Sequence, residues 1–271
     1  NYTVYNTDHS KSFPAYWYQS NGAYQQIGST SGQSDGGSAG TKKRITYVKG
    51  LIGYDHTFDK HHIDAIALAD LNQIQDYGYY NGYLQNYTNY SARVNYDYDK
   101  RYVAEAVYTR GGYNWFAPNK RWASYYGFGL AWNGHNETFI KNLNLFSTLK
   151  VRGTYALTGQ ATANYAEYLA EYDNSHAANY WTAPYGLKGT FEKSLPSALD
   201  PEKAKKIDIG LDLGFLNDRL TGTFDYYHNK YTGVVATSEI KTAILGNSYP
   251  RTNCQEYSYW GYETSLTWQD H

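Results

Sequence analysis

Residues 207–227, IDIGLDLGFLNDRLTGTFDYY, alternate apolar and polar side chains so strictly that a two-residue period fits them and a helical one does not. Ile207, Ile209, Leu211, Leu213 and Phe215 share one face of a strand, and Asp208, Gly210, Asp212 and Gly214 share the other. A turn at Asn217-Asp218 returns the chain with Phe215 opposite Leu220, Leu213 opposite Gly222, Leu211 opposite Phe224 and Ile209 opposite Tyr226. The apolar faces of the two strands then coincide, leaving Asp208, Asp212, Thr221, Thr223 and Asp225 on the opposite side. The greasy side either packs on a soluble core or faces lipid.

Composition bears on that choice. Of the 41% of residues counted as hydrophobic, 33 residues are Tyr and none is Met, so aliphatic core material is scarce and amphipathic aromatic material abundant. Such rings suit surfaces where one part of the side chain is dry and another wet. The balance of 24 basic and 25 acidic residues carries no positive field of the kind nucleic-acid binders use, which sets nucleic acid aside. Cys254, the single cysteine, excludes an internal disulfide and a cysteine-based zinc site. No apolar run approaches the roughly 20 residues of a membrane helix, and NYTVYNTDHSKSF does not read as a signal peptide. A β-barrel stays open, since its strands need only alternate apolar positions.

Residues 1–42 show no sustained period, end in the Gly/Ser-rich GSTSGQSDGGSAG, and read as a long mobile loop, extracellular if the chain is an outer-membrane barrel. From Lys43 to the end at 271 the chain reads as strands and loops, with strands expected near 43–58, 62–75, 87–98, 101–113, 121–132, 145–157, 204–216, 219–232 and 258–269. Short turns at Asp59-Lys60-His61, Asp99-Lys100 and Asn217-Asp218 alternate with long links at 76–86, 113–121, 158–203 and 233–257, while 133–144 is intermediate and falls with the short turns by count. In an up-and-down meander this alternation gathers short turns at one end and long loops at the other, as in outer-membrane barrels. Strands of about 12 residues also exceed the soluble mode of roughly 5 to 6 and cover a tilted bilayer crossing. A two-sheet soluble sandwich that binds glycans is the alternative that strand patterning alone leaves open.

Two further stretches bear a resemblance to a known family. NYSARVNYDYDKRYVAEAVYTRGGYNWF, residues 89–116, resembles the R-V-N-Y-x-Y strand, Asp/Lys turn and K/R-Y strand of SusC/RagA-type TonB-dependent transporters. AWNGHNETFIKNLNLFSTLKVRGTYALTGQ, residues 131–160, resembles that family's W-x(4)-E-x-F segment and the L-K-x-R-x-S/T-Y-x-x-T-G strand after it. GLDLGFLNDRLTGTFDYYHNKYTGVV and WGYETSLTW look like its G-L-D, N-x-R-L, D-Y-Y and G-x-E elements, in the family's order. The chain departs where GGYNWF follows Arg110 in place of an Asp and small polar residues, and where RWASYYGFG replaces a Phe-Pro pair. No plug domain, TonB-contacting box or closing aromatic strand is found, and nine strands leave two free edges where such barrels have about 22 strands. The resemblance therefore implies an all-β fold: a portion of an antiparallel up-and-down transmembrane β-barrel, interior in the sequence, in a bacterial outer membrane. It implies import rather than catalysis, with a SusD-like surface lipoprotein as lid, TonB as the driver acting through other parts, and an oligosaccharide or peptide as cargo. A siderophore or vitamin receptor of the wider TonB-dependent class is the runner-up.

With Ile209, Leu211 and Val151 facing out, Lys150, Arg152, Asp208, Asp212 and Asp225 face the lumen. A two-residue turn at Asp99-Lys100 adds Arg93, Asn95, Asp97 and Arg110 to that polar face and sends Glu105 to the apolar one with Val94 and Val103. Tyr96, Tyr98 and Tyr102 beside that turn are expected in the periplasmic aromatic girdle. The loops concentrate aromatics suited to cargo or lid contact: Trp17 and Tyr18, Trp115, Trp181 and Tyr185. DHTFDKHHID, residues 55–64, groups His and Asp, but His61 and His62 point to opposite faces, so only one could join His56 or Asp59, and no metal is expected. Neither a nucleophile motif nor a phosphate loop is present, and the spacing of Asp208 and Asp212 is that of a repeating barrel wall, so no catalytic residue or cofactor is assigned.

Overall fold

The computed structural model describes residues 5–10, 15–18, 22, 24–27, 34–39, 43–76, 83–173, 191–237 and 249–270. Four short strands come first: β1 (Tyr5–Ser10), β2 (Ala15–Tyr18), β3 (Tyr24–Ile27) and β4 (Ser34–Ala39). β1 pairs with β4 and β2 with β3, both antiparallel. Then follow β5 (Lys43–Phe58), β6 (His61–Asp76), β7 (Tyr83–Tyr98), β8 (Tyr102–Tyr113) and β9 (Trp122–Asn133). A 3-10 turn (Gly134–Asn136) and one helical turn, α1 (Thr138–Lys141), lead into β10 (Phe146–Gln160). The chain ends with the paired β11 (Glu171–Asp173) and β12 (Phe191–Ser194), then β13 (Glu202–Phe215), β14 (Leu220–Thr237) and β15 (Arg251–Trp268). The chain divides into a smaller compact unit, residues 1–46 with 73–84, and a larger one, residues 47–72 with 85–271.

Among the described residues one sheet dominates, nine strands in the order β15-β14-β13-β10-β9-β8-β7-β6-β5. Every neighbour follows its predecessor along the chain, once the small β11–β12 hairpin is passed, so this is an up-and-down meander. Each of the nine overlaps one of the nine expected from periodicity, with β14 and β15 running further toward the long links. The hairpin between β13 and β14 has the expected register throughout, with Phe215 opposite Leu220 and Ile209 opposite Tyr226. Its tight turn holds Asn217 and Asp218 at φ of 57° and 62°, a left-handed conformation that Asn and Asp tolerate better than most residues.

Between β7 and β8 the register differs from the expectation by one residue. Three residues, Asp99 to Arg101, form this turn, with Asp99 and Lys100 both left-handed, and Tyr98 pairs with Tyr102. An odd loop reverses the parity of the returning strand. Glu105 therefore lies opposite Asn95 on the polar face, and Arg110 lies opposite Tyr90 on the apolar one. The same shift places Tyr102 with Tyr96 and Tyr98, as the girdle requires.

The cross-strand registers extend one apolar face over β7 to β15. Its central band includes Val94, Ala104, Ala106, Phe128, Leu130, Val151, Ile209, Leu211 and Phe224. Among the described residues nothing covers this band: Leu130 is 68% exposed, Phe128 55% and Ile209 52%. Aromatics flank it, with Tyr98, Tyr102 and Trp132 toward the short turns and Tyr90, Tyr108 and Trp122 toward the long links. Eight residues separate Tyr98 from Tyr90, roughly 27 Å along a strand at about 3.4 Å per residue, or about 20 Å across a bilayer at a barrel tilt near 40°. A sandwich would bury such a face against a second sheet. Here the buried apolar residues lie elsewhere, under the long links: Tyr113, Phe116, Ala163 and Leu199, packed by Tyr87, Trp115, Ala161 and Val235.

Candidate functional site

The polar face is a wall of paired charges. On β10, Arg152 lies opposite Gly210 of β13, which in turn lies opposite Asp225 of β14. The guanidinium crosses above Gly210 and ends among three carboxylates, with Nη2 2.5 Å from Asp225 Oδ1, Nη1 3.0 Å from Asp208 Oδ1 and Nε 3.4 Å from Asp212 Oδ2. A Cβ on residue 210 would run into the guanidinium, so glycine leaves this crossing open without displacing the arginine. One cation facing three anions leaves excess negative charge at this point of the wall. Lys150 lies opposite Asp212 on the same face, one step nearer the short turns.

A second patch lies on β5 to β7. His62 holds Asp97 through Nδ1 at 2.8 Å and approaches Asp55 through Nε2 at 3.4 Å, while Asp64 receives Asn95 at 3.1 Å and Arg93 at 3.4 Å. His61 points to the other face and meets the Tyr96 hydroxyl at 2.7 Å. The partners of His62 are thus Asp55 and Asp97, where sequence spacing had offered His56 or Asp59; His56 instead packs against Phe58, ring centroids 4.9 Å apart. Among the described residues no group of three or more His, Cys, Asp or Glu is arranged to hold a metal ion.

Of the polar-face candidates, Arg93, Asn95 and Asp97 stand together around the Asp64 and His62 patch, and Arg152, Asp208, Asp212 and Asp225 form the other cluster. Arg110 departs from both. It extends over the Trp122 ring, 5.8 Å from guanidinium carbon to centroid, among Tyr90 and Tyr108 at the long-link edge of the apolar face. An arginine at that level keeps its stem dry and its charge at the interface. Glu105, not counted among the candidates, replaces it on the polar face. Asp64, Asp55 and His62 were the polar-face residues that sequence reasoning left out. The signal for His62 and Asp64 was available, because alternate residues of HHID share a side.

Where the long links gather, Tyr87 and Tyr113 stack at 4.5 Å, Phe116 meets Tyr113 edge-on at 5.6 Å, and Trp115 meets Tyr165 edge-on at 5.7 Å. Gln85 Nε2 donates to both tyrosine hydroxyls. Lys120 reaches Asp200 at 2.8 Å and Arg251 donates to the carbonyl of Thr162 at 2.7 Å, tying the links to one another. Trp115 is therefore part of the loop packing. Trp181 and Tyr185 lie outside the described residues; Trp17 and Tyr18 lie on β2, opposite Gln25 and Tyr24, and only their backbone is described.

A single sheet of long antiparallel strands, apolar and aromatic-banded on one side and charged on the other, is a portion of a transmembrane β-barrel of the outer-membrane kind. No family model matches the chain. It is 30% identical over 184 residues to the TonB-dependent receptor SusC of Bacteroides thetaiotaomicron, covering 66% of this chain and 18% of that protein. It is 29% identical over 175 residues to TonB-dependent receptor P3 of Formosa agariphila, covering 64% of this chain and 17% of that protein. The chain thus spans less than a fifth of the length of these curated relatives. Among solved structures, the RagAB peptide transporter superposes with a TM-score of 0.71 at 19% identity, over 83% of this chain and 28% of that one. The siderophore receptor PirA of Pseudomonas aeruginosa superposes with a TM-score of 0.57 at 12% identity, over 83% of this chain and 40% of that one. In sequence and in fold the chain is thus similar to a portion of the SusC/RagA-type TonB-dependent receptors of the outer membrane.

Proposed function

We propose that residues 43–271 form part of the wall of a TonB-dependent importer that takes up oligosaccharides or peptides beneath a SusD-like lipoprotein lid, with residues 1–42 as an extracellular loop. The observation that carries this reading is the pairing of a two-faced nine-stranded meander with 30% identity to SusC over 184 residues. In this reading the short turns are periplasmic and the long links extracellular. Arg93, Asn95, Asp97, Lys150, Arg152, Asp208, Asp212 and Asp225 face the lumen, where the pairing of Arg152 with its three aspartates and of Arg93, Asn95 and Asp97 with Asp64 and His62 holds a hydrated wall past which solute moves. Glu105 joins them and Arg110 leaves them. The loop aromatics Trp17, Tyr18, Trp115, Trp181 and Tyr185 serve the lid and cargo side, Trp115 through the packing that shapes the link 114–121. The likeness to SusC and to RagAB, itself a peptide transporter, supports a lidded importer over a siderophore receptor, as does the higher superposition score of RagAB than of PirA.

The test is to extract the native receptor from outer membranes with an antibody to residues 161–200, and to identify by mass spectrometry what comes with it after exposure to mixed oligosaccharides and peptides. Co-purification of a surface lipoprotein with retained glycan or peptide supports the proposal. A receptor without a lipoprotein that retains a ferric chelate would replace it with the siderophore reading, and a water-soluble species would sink both.

A further inference from the structure

The W-x(4)-E-x-F segment, Trp132 to Phe139, has no part in the wall's polar face, yet its Trp and Glu are joined by a hydrogen bond. Where the neighbouring turns at this end use two to four residues, the link from β9 to β10 runs from Gly134 to Leu145. Glu137 is buried in it and accepts hydrogen bonds from the Tyr102 hydroxyl at 2.7 Å, Arg101 Nη1 at 3.2 Å and Trp132 Nε1 at 3.3 Å. Tyr102 and Trp132 are cross-strand partners on the apolar face, so the carboxylate draws the link toward the outward rim of the wall. Asn133 and Asn136 both donate side-chain amides to the carbonyl of Lys100 at 2.9 Å, fixing the link to the adjacent turn.

The clamp leaves apolar side chains in the open. Phe139, in the single helical turn, is 62% exposed, and Leu143 and Leu145, just beyond it, are 61% and 54% exposed. Lys141 lies exposed between them. In water this arrangement holds a greasy patch out at a cost. Glu137 ties the segment that carries these side chains to Tyr102 and Trp132 at the edge of the apolar band, the setting in which an amphipathic segment lies between headgroups and acyl chains.

We propose that residues 134–145 are a membrane-interface anchor, in which Glu137 clamps the link to the outward rim so that Phe139 and Leu143 enter the bilayer interface. The inference rests on the membrane reading of the wall and assigns a role to the Trp, Glu and Phe of the motif: clamp partner, clamp and anchor. The occupant of the patch is the lipid surface itself, with Lys141 placed for anionic headgroups.

The experiment uses the full receptor in phospholipid vesicles, its native cysteines replaced, with a nitroxide attached in turn at Phe139→Cys, Leu143→Cys, Asn142→Cys and Val151→Cys. Accessibility to oxygen, which concentrates in lipid, is compared with accessibility to a water-soluble nickel chelate. The labels at 139 and 143 are expected to show an oxygen-to-chelate ratio several-fold above that at 142 and below that at 151. In a Glu137→Ala background the ratio at 139 falls toward that at 142 while the ratio at 151 is unchanged. Labels at 139 and 143 that match 142, or that are shielded from both reagents by protein, overturn the anchor while 151 stays in lipid. A label at 151 that is itself open to the chelate overturns the membrane reading beneath it.

Discussion

Arg152→Ala tests the polar wall most sharply, and its magnitude follows from the contacts. Two of the three carboxylates, Asp225 at 2.5 Å and Asp208 at 3.0 Å, receive short charge-assisted hydrogen bonds, and Asp212 at 3.4 Å is a looser ion pair. The side chains retain between 19% and 37% of their accessibility, so the several kcal/mol lost on breaking a fully buried pair does not apply, and each contact contributes about 0.5 to 1 kcal/mol. Removing the guanidinium thus costs about 1.5 to 3 kcal/mol, part of it the repulsion among three carboxylates left facing one another. Thermal unfolding of the detergent-solubilised receptor, read from the unfolding-dependent gel shift of barrel proteins, measures it. Arg152→Ala combined with Asp225→Asn should lose less than the sum of the two single changes, because the second relieves the repulsion the first creates. Strict additivity, or an Arg152→Ala melting point equal to wild type, would refute the argument that this guanidinium balances the wall.

Gly210→Ala should resemble Arg152→Ala in melting temperature, since the added methyl occupies the guanidinium's path; an unshifted melt would show that the arginine can detour. Ile209→Arg should cost about 2 to 4 kcal/mol when measured by refolding into vesicles, as an arginine at mid-bilayer does, whereas Asp212→Asn should cost only about 0.5 to 1 kcal/mol for the loss of one loose pair; equal effects would undo the face assignment. Glu137, hydrogen-bonded by the Tyr102 hydroxyl above all and then by Trp132, with Arg101 nearby, has its carboxyl held below the usual carboxylate range despite the opposing effect of burial. A depressed folded-state pKa means that its contribution is complete above the ordinary Glu value of about 4.3 and is lost as pH falls below it. The melting difference between wild type and Glu137→Gln should accordingly be largest near neutral pH and shrink on acidification, and a pH-independent difference would show that the charge is immaterial.

Much of the fold was legible because a barrel wall repeats one simple constraint. Each strand must alternate, and IDIGLDLG or RVNYDY does so without ambiguity, which gave all nine strands and the register of the hairpin at Asn217. What periodicity does not carry is loop parity. Asp99-Lys100 reads as a two-residue turn, yet Arg101 is also in it, and that one residue exchanged the faces of Glu105 and Arg110. The far ends of β14 and β15 were missed for a local reason. Gly233, at φ 66°, interrupts the alternation with a bulge, beyond which the two strands resume pairing, Val235 with Asn253. The site was legible as a list of polar-face residues and not as a network. Nothing in the sequence says that Gly210 is the gap through which Arg152 reaches Asp225, since that depends on three strands lying side by side.

The two faces of this sheet meet two solvents, lipid on one side and water on the other. This is tested most directly by placing single cysteines at each position from 207 to 213 of the full receptor, with Cys254 replaced by Ser, and reacting intact outer membranes with a bulky, membrane-impermeant thiol reagent. Two faces in two solvents predict a two-residue alternation, with 208, 210 and 212 labelled from the aqueous lumen and 207, 209, 211 and 213 protected by lipid until detergent is added. Labelling at both sets before detergent, or protection of the even positions alone, would contradict it.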